Sequence, residues 1–376
     1  MALAMGAMGA MGAMGAMGAM GAMGAMGAAG GTGADAAAEQ SLMLADALIK
    51  TRGGMVEASG GSLIERAERP IDDADAMAYW TPSVRQSVAL FELITSLRFE
   101  TRIVPPEKPL AEARASALLY HVSRAADGST QDLLVAELVR PKLRFFGEQM
   151  ALVESWALLR EDRASEILTQ LTPQYAFWNA IASLHLDARP ATMDLIGLAL
   201  AFASIIEMRF KHALACWRPV DLSPDLHPMI ATPGHGSLPS GHATEAYCIA
   251  HLLETLLPDG KVYAPALQRL AARTSINRTI AGVHFPVDSH AGQKLGQSLS
   301  EYFIAQCRRH GPPKARSGWI GRTFDVRDAT GAERDFLPTQ PPMDREGAPA
   351  NPSENSPRSA VGWYWDRARA EWGAGT

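Results

Sequence analysis

The chain has 376 residues, 35 Lys+Arg against 40 Asp+Glu, and a formal charge of −5. At 47% hydrophobic and 20% charged residues, it has the composition of an ordinary globular protein and not of a fibre or a charged disordered polymer. No run of Lys or Arg offers the clustered cations that nonspecific nucleic-acid binding needs, so a nucleic-acid partner is excluded. Cys216, Cys248 and Cys307 are widely spaced in apolar stretches and read as small buried hydrophobes rather than as a disulfide framework or a zinc site.

Eight tandem Met-Gly-Ala triplets run from Met5 to Ala28, and no residue before Lys50 is basic. A glycine at every third place costs a helix about 1 kcal/mol each relative to alanine. The cationic start of a secretory signal is missing. Residues 1–71 are therefore expected to be a low-complexity, disordered leader. Residues 72–310 are expected to form one catalytic domain. Thr81-Pro82 looks like an N-cap followed by proline at the first helical position, with Leu90, Leu93, Ile94 and Leu97 as one stripe. Helical spacing is read again from Ala111 to Val122, Gln131 to Val139, Phe145 to Leu159, Ala164 to Leu168 and Gln174 to Leu186, with Pro141, Pro190, Pro224 and Pro258 as punctuation. The expected fold class is all-α, a helical bundle. The most apolar run, Leu195 to Ile206, is bracketed by Asp194 and Glu207 and is too short for the ~20 residues a spanning helix needs. It reads as a central buried helix, with no integral membrane segment expected. Residues 311–376 are expected to be a mostly irregular tail with a short docking segment at Trp363 to Trp372.

Seven of the ten histidines fall between Lys211 and His290, together with three clusters of oxyanion-binding residue types. In the first, Lys211 and Arg218 are seven apart and are expected on one helix face, where two cations beside a buried helix call for an anion. In the second, Ser240-Gly241-His242 precedes an apolar helical run; free backbone N–H groups and the positive end of the dipole make an anion cradle there. In the third, Arg278 is followed by His284, Pro286 and Asp288. Proline at the first helical position puts His284 just outside the helix and Asp288 in its first turn, where the carboxylate can fix one imidazole nitrogen and leave the other free. A zinc site built from His235, His242, His284 and Asp288 fits poorly, because Lys211, Arg218 and Arg278 would repel the cation.

Lys-x6-Arg-Pro, Pro-Ser-Gly-His and Arg-x5-His-x3-Asp, in this order, resemble the signature of the type 2 phosphatidic acid phosphatase and vanadium haloperoxidase superfamily. One departure is Asn277, where many members carry Ser. The resemblance implies that Lys211, Arg218 and Arg278 hold the equatorial oxygens of phosphate or vanadate, with Ser240 and the Gly241 N–H completing the cradle. It also implies that His284 is the phosphoryl-accepting nucleophile or the protein ligand of the vanadium of vanadate. His242 would then be the acid/base group and Asp288 would orient His284. Three features tilt the expectation toward a vanadate-dependent haloperoxidase that oxidises halide, bromide above all, with hydrogen peroxide. They are the helical lead-in over residues 75–210, Trp217 beside Arg218, and His235, five residues before Ser240, where bromide-oxidising members carry an extra histidine. The alternative is a soluble phosphatase acting on phosphomonoesters through a phosphohistidine and needing no cofactor. A third reading is phosphate binding without turnover. The partners expected are small molecules only, either peroxide and halide or a phosphomonoester, with a soluble, cytoplasmic location favoured. The sequence leaves the oligomeric state open.

Overall fold

In the computed structural model of this chain, the structure describes residues 42–55, 66–104, 114–124, 127–185, 187–311, 316–326, 335–336, 344–350 and 358–373. Most of the expected leader lies outside the described residues; within it, Leu42–Met55 forms helix α1. Proline at the first helical position starts α2 (Pro82–Thr95), whose Leu90 and Leu93 are buried. Three strands follow, β1 (Leu97–Val104), β2 (Arg114–Arg124) and β3 (Thr130–Val139). Short helices α3 (Leu143–Ala157), α4 (Arg160–Thr169) and α5 (Tyr175–Ala182) lead to the long α6 (Pro190–Leu214). After the single turn α7 (Pro219–Leu222) come α8 (Gly241–Leu256), α9 (Gly260–Ile280) and α10 (Pro286–Cys307). Strands β4 (Trp319–Phe324) and β5 (Asp344–Ala350) and helix α11 (Ala360–Ala370) lie in the stretch expected to be mostly irregular. Trp363 and Trp365 of α11 are buried.

The all-α expectation is overturned. Among the described residues a five-stranded sheet runs in the order β1-β2-β3-β4-β5, parallel between β3 and β4 and antiparallel elsewhere. The two segments read as helical from Ala111 to Val122 and from Gln131 to Val139 are β2 and β3. Their side chains are buried on both faces: Ser116 to Leu119 and Val135 to Val139 are all inaccessible. A strand covered on both sides loses the period-two alternation that marks a half-exposed one, and a short continuous apolar run cannot be told from a helix by periodicity. One face of the sheet meets the helices through Phe99 against Phe210 of α6, ring centres 5.0 Å apart, and through His121, whose Nδ1 lies 3.1 Å from the Tyr302 hydroxyl of α10.

Helix α6 runs for 25 residues, well beyond the apolar run of twelve. The stretch Pro190–Leu222, of which α6 is the greater part, is long and apolar enough to cross a membrane by length and composition, and 83% of its most apolar part is buried inside the protein. Helices α2, α8, α10 and α11 and strand β2 cover it, as the reading of a central buried helix requires. Helices α8 and α10 pass very close to each other. A Cβ on Gly292 would lie 2.6 Å from the Ser240 carbonyl oxygen, and one on Gly296 would meet the Thr244 carbonyl. These two glycines let the start of α10, with its histidine and aspartate, sit against the start of α8.

Candidate active site

The three clusters meet where α6 ends and α8 and α10 begin. The expectation that Lys211 and Arg218 share one helical face is corrected: α6 stops at Leu214, Ala215 adopts a left-handed conformation (φ 46°), and Arg218 caps the next turn. A chain reversal brings the two cations together. Lys211, 1% exposed, donates from Nζ to the carbonyl oxygens of Ser237 and Pro239. Arg218, 2% exposed, donates from Nε to the His235 carbonyl (2.9 Å) and from Nη1 to the Val283 carbonyl (2.7 Å). The first cluster is thus bonded to the second through Lys211 and to the third through Arg218.

Ser240 is the N-cap residue of α8, yet its hydroxyl makes no capping bond and is buried without a partner, while its backbone N–H donates to the Asp288 carbonyl at 2.9 Å. Arg278 is equally incomplete. Its Nη2 donates to the Ile167 carbonyl (3.2 Å) and to Gln170 Oε1 (3.3 Å), while Nε and Nη1 are buried and unpaired. Burial lowers its pKa to about 10. Buried donors without acceptors cost about 1–3 kcal/mol each, more when charged, so the donors left unpaired on Ser240 and Arg278 call for an acceptor from outside the protein.

His284 and Asp288 occupy the predicted positions. Proline starts α10 at position 286, His284 lies outside the helix, and His284 Nδ1 is 3.0 Å from Asp288 Oδ2. The same oxygen accepts the Phe285 N–H (2.9 Å) and the hydroxyl of Ser237. Three donors converging on one carboxylate oxygen hold it in place and assign the proton of His284 to Nδ1, which leaves Nε2 as a lone pair. Burial raises the Asp288 carboxyl to about 6, against the pull of Ser237, Phe285 and the two cations. His284 is held neutral: burial lowers it well below the ordinary value, and Arg218 and Lys211 lower it further. His242 Nε2 is 3.0 Å from the Gln170 carbonyl oxygen, and burial with Arg278 alongside lowers its pKa to about 3. His235 is half-buried; its Nδ1 lies 3.2 Å from Arg218 Nη2 and its pKa is lowered to about 4, first by burial.

Sequence reasoning missed four side chains here. Ser237 fixes Asp288, and Gln170 ties Arg278 and Asn277 to the start of α8 through its side chain and backbone. Glu207 is buried one turn before Lys211, and Oε1 of its carboxyl would be 2.5 Å from a Cβ on Gly241. Glu245, one turn into α8, interacts electrostatically with Glu207 and Lys211. Gln170 had no motif to announce it, but Glu207 did carry a signal, as a charge interrupting the most apolar run in the chain.

Residues 195–309, which hold all three clusters, match the sequence model of the PAP2 superfamily. This segment is PAP2-like. The match covers α6 from Leu195 through α10, and the sheet lies outside it. A solved transmembrane PAP2 type phosphatidylglycerolphosphate phosphatase from Bacillus subtilis is similar at 21% identity over 42% of this chain and 84% of that chain, with a TM-score of 0.34. No curated protein matches the chain.

Proposed function

We propose that the PAP2-like segment is a phosphatase that hydrolyses phosphomonoesters through a phosphohistidine. The observation that carries this reading is the set of unpaired buried donors, Ser240 Oγ and Arg278 Nε and Nη1, beside a neutral His284 whose Nδ1 is held on Asp288. A tetrahedral dianion supplies the acceptors these donors lack. In the reaction, Lys211, Arg218, Arg278 and Ser240 hold the non-bridging phosphate oxygens and take up the charge of the transferring group. His284 Nε2 forms the bond to phosphorus as the ester bond breaks, and His242 gives its proton to the leaving alkoxide. Neutral His242 then takes a proton from water, which attacks phosphorus, and His284 is released with inorganic phosphate. Burial first, and Arg278 after it, keep His242 neutral in the empty cradle; the arriving dianion offsets the second of these and so strengthens the hold of His242 on the proton it gives.

We prefer this reading to the haloperoxidase one on three observations. The lead-in over residues 75–210 contains strands β1 to β3. Trp217 is 60% exposed. His235 is engaged with Arg218 through both its carbonyl oxygen and its ring, so the ring is not a free group at the pocket mouth. The same donors fit orthovanadate, which Lys211, Arg218, Ser240, Arg278 and His284 would hold and which could supply peroxide activation when bound. On the phosphatase reading vanadate is an inhibitor. The test is release of p-nitrophenol from p-nitrophenyl phosphate, inhibited by orthovanadate, set against bromination of monochlorodimedone by vanadate-loaded protein with peroxide. Bromination without phosphatase turnover would reverse the assignment.

A further inference from the structure

Glu207 has no place in the reaction above, yet it is 3% exposed, on an otherwise apolar helix, and its Oε2 is buried without a hydrogen-bond partner. It lies one helical turn before Lys211, on the same side of α6. Its carboxyl presses on the first residue of α8: a Cβ on Gly241 would be 2.5 Å from Oε1 and 3.0 Å from Oε2. Glycine at this position is what admits the carboxyl to the N-terminal end of α8, the helix whose N-cap residue is Ser240. An acid therefore stands among the donors that an oxyanion needs. Two like charges cannot share that place, because the cost of burying a second anion there exceeds what the cations return.

We propose that Glu207 is a protonic gate on the cradle. Neutral, it leaves Lys211 and the start of α8 to the oxyanion; ionised, it takes Lys211 as its own partner and repels the oxyanion. Binding of an oxyanion to the ionised form is then accompanied by uptake of one proton at Glu207. The proposal rests on the oxyanion cradle of the preceding section and adds to it a positioning residue that sets the pH range of binding.

Charged groups from three directions surround Glu207. Burial raises its pKa against the pull of Lys211 and Arg218, and burial likewise lowers Lys211. From α8, burial and Glu207 raise Glu245. Asp288 at the start of α10 acts on Lys211 and Arg218, opposing the lowering of each. The histidines facing the empty cradle, His235 and His242, are lowered to about 4 and about 3, so they are neutral before the oxyanion arrives, and any proton that His242 takes up on binding persists in Glu207→Gln.

The test uses inorganic sulfate, a tetrahedral dianion whose own charge does not change between pH 5 and 9, titrated into the full-length protein by calorimetry. In the wild type, affinity should fall about tenfold per pH unit once Glu207 ionises. Buffers of different ionisation heat should report uptake of about one proton there. Glu207→Gln, which keeps the shape and removes the charge, should bind sulfate with an affinity that stays level over that range, while Glu245→Gln should keep the wild-type slope. A slope that persists in Glu207→Gln assigns the dependence to Lys211 and overturns the proposal, as does a slope lost only in Glu245→Gln. If Glu207→Gln does not fold, Glu207→Ala takes its place with the same two readouts, and a slope and proton uptake that persist there overturn the proposal. Sulfate binding of this form without p-nitrophenyl phosphate turnover would remove the phosphatase and leave the gate. Turnover with level wild-type sulfate affinity would remove only the gate, and no sulfate binding at any pH would remove both.

Discussion

Two regions of this molecule bury charge, and they do it in opposite ways. In the sheet, Glu137 of β3 accepts from Arg102 (2.7 Å), Ser116 (2.9 Å) and Thr323 (2.9 Å). Arg322 of β4 forks onto Glu301 of α10 at 2.9 and 2.8 Å. Every strand that meets there contributes a partner, as stability demands of buried ions. In the PAP2-like segment, Arg278, Ser240 and Glu207 are as deeply buried, but each keeps a polar atom with nothing bonded to it. The Glu137 carboxylate has its desolvation offset by three donors within the protein, whereas Arg278, Ser240 and Glu207 each keep an atom to which the protein offers no partner. A satisfied buried network holds a fold together, whereas an incomplete one leaves room for a ligand of complementary charge.

The sharpest way to break this contrast is at the nucleophile. His284→Ala should lower kcat for p-nitrophenyl phosphate on the order of 10⁴-fold with the fold intact by circular dichroism; wild-type turnover would remove His284 from the apical position. His242→Ala should cost about 10²–10⁴-fold, and the loss should be greater with an alkyl phosphate than with the p-nitrophenyl ester, because a good leaving group needs less of a proton. Equal losses on both substrates would deny His242 its role as acid. Arg278→Ala should weaken orthovanadate inhibition by about 1.5–3 kcal/mol, the value of a charged hydrogen bond, which is roughly 10–150-fold in Ki.

The sheet should answer in stability. Glu137→Gln removes the charge that three donors share and should cost about 1–3 kcal/mol in urea denaturation while KM and kcat stay at wild-type values. A change in KM would mean that the sheet and the cradle are one network. The smallest effect is spread over both regions. His121, His235 and His290 are lowered to about 4 and His242 to about 3, in each case chiefly by burial. Unfolded histidines titrate near 6.5, so between pH 6.5 and about 4 the unfolded chain binds protons that the folded chain refuses, and stability falls as pH falls. Four carboxyls raised by burial, Asp194, Glu207, Glu245 and Asp288, work in the opposite sense, against six histidines once His251 and His284, also lowered chiefly by burial, are counted. The urea midpoint should therefore be lower at pH 5 than at pH 7, and a higher midpoint at pH 5 would show that these histidines are not held neutral.

Much of the site was legible in the residues. Pro286 at the first helical position predicts where His284 and Asp288 stand, and both stand there. The Ser-Gly-His start of α8 is a helix N-terminus, as its composition implies. These are local signals, decided within four or five residues by capping and by the fixed φ of proline. The helices α2 to α5, where one face is buried and the other is not, were legible for the same reason.

What the sequence could not decide depends on neighbours distant along the chain. Strands β2 and β3 read as helix because burial on both faces erases their alternation, and the helices that meet one of those faces, α6 and α10, come far later in the chain. The joining of Lys211 and Arg218 depends on the reversal at Ala215, a single residue in a left-handed conformation that no residue preference announces. Gln170 became visible only when the end of α4 was placed against α8. The sequence by itself determined which groups could hold an oxyanion, since charge, donor count and capping belong to the residues. Only the tertiary structure decided which of those groups remain unpaired, because a donor's partner is set by what the fold brings within about 3 Å of it.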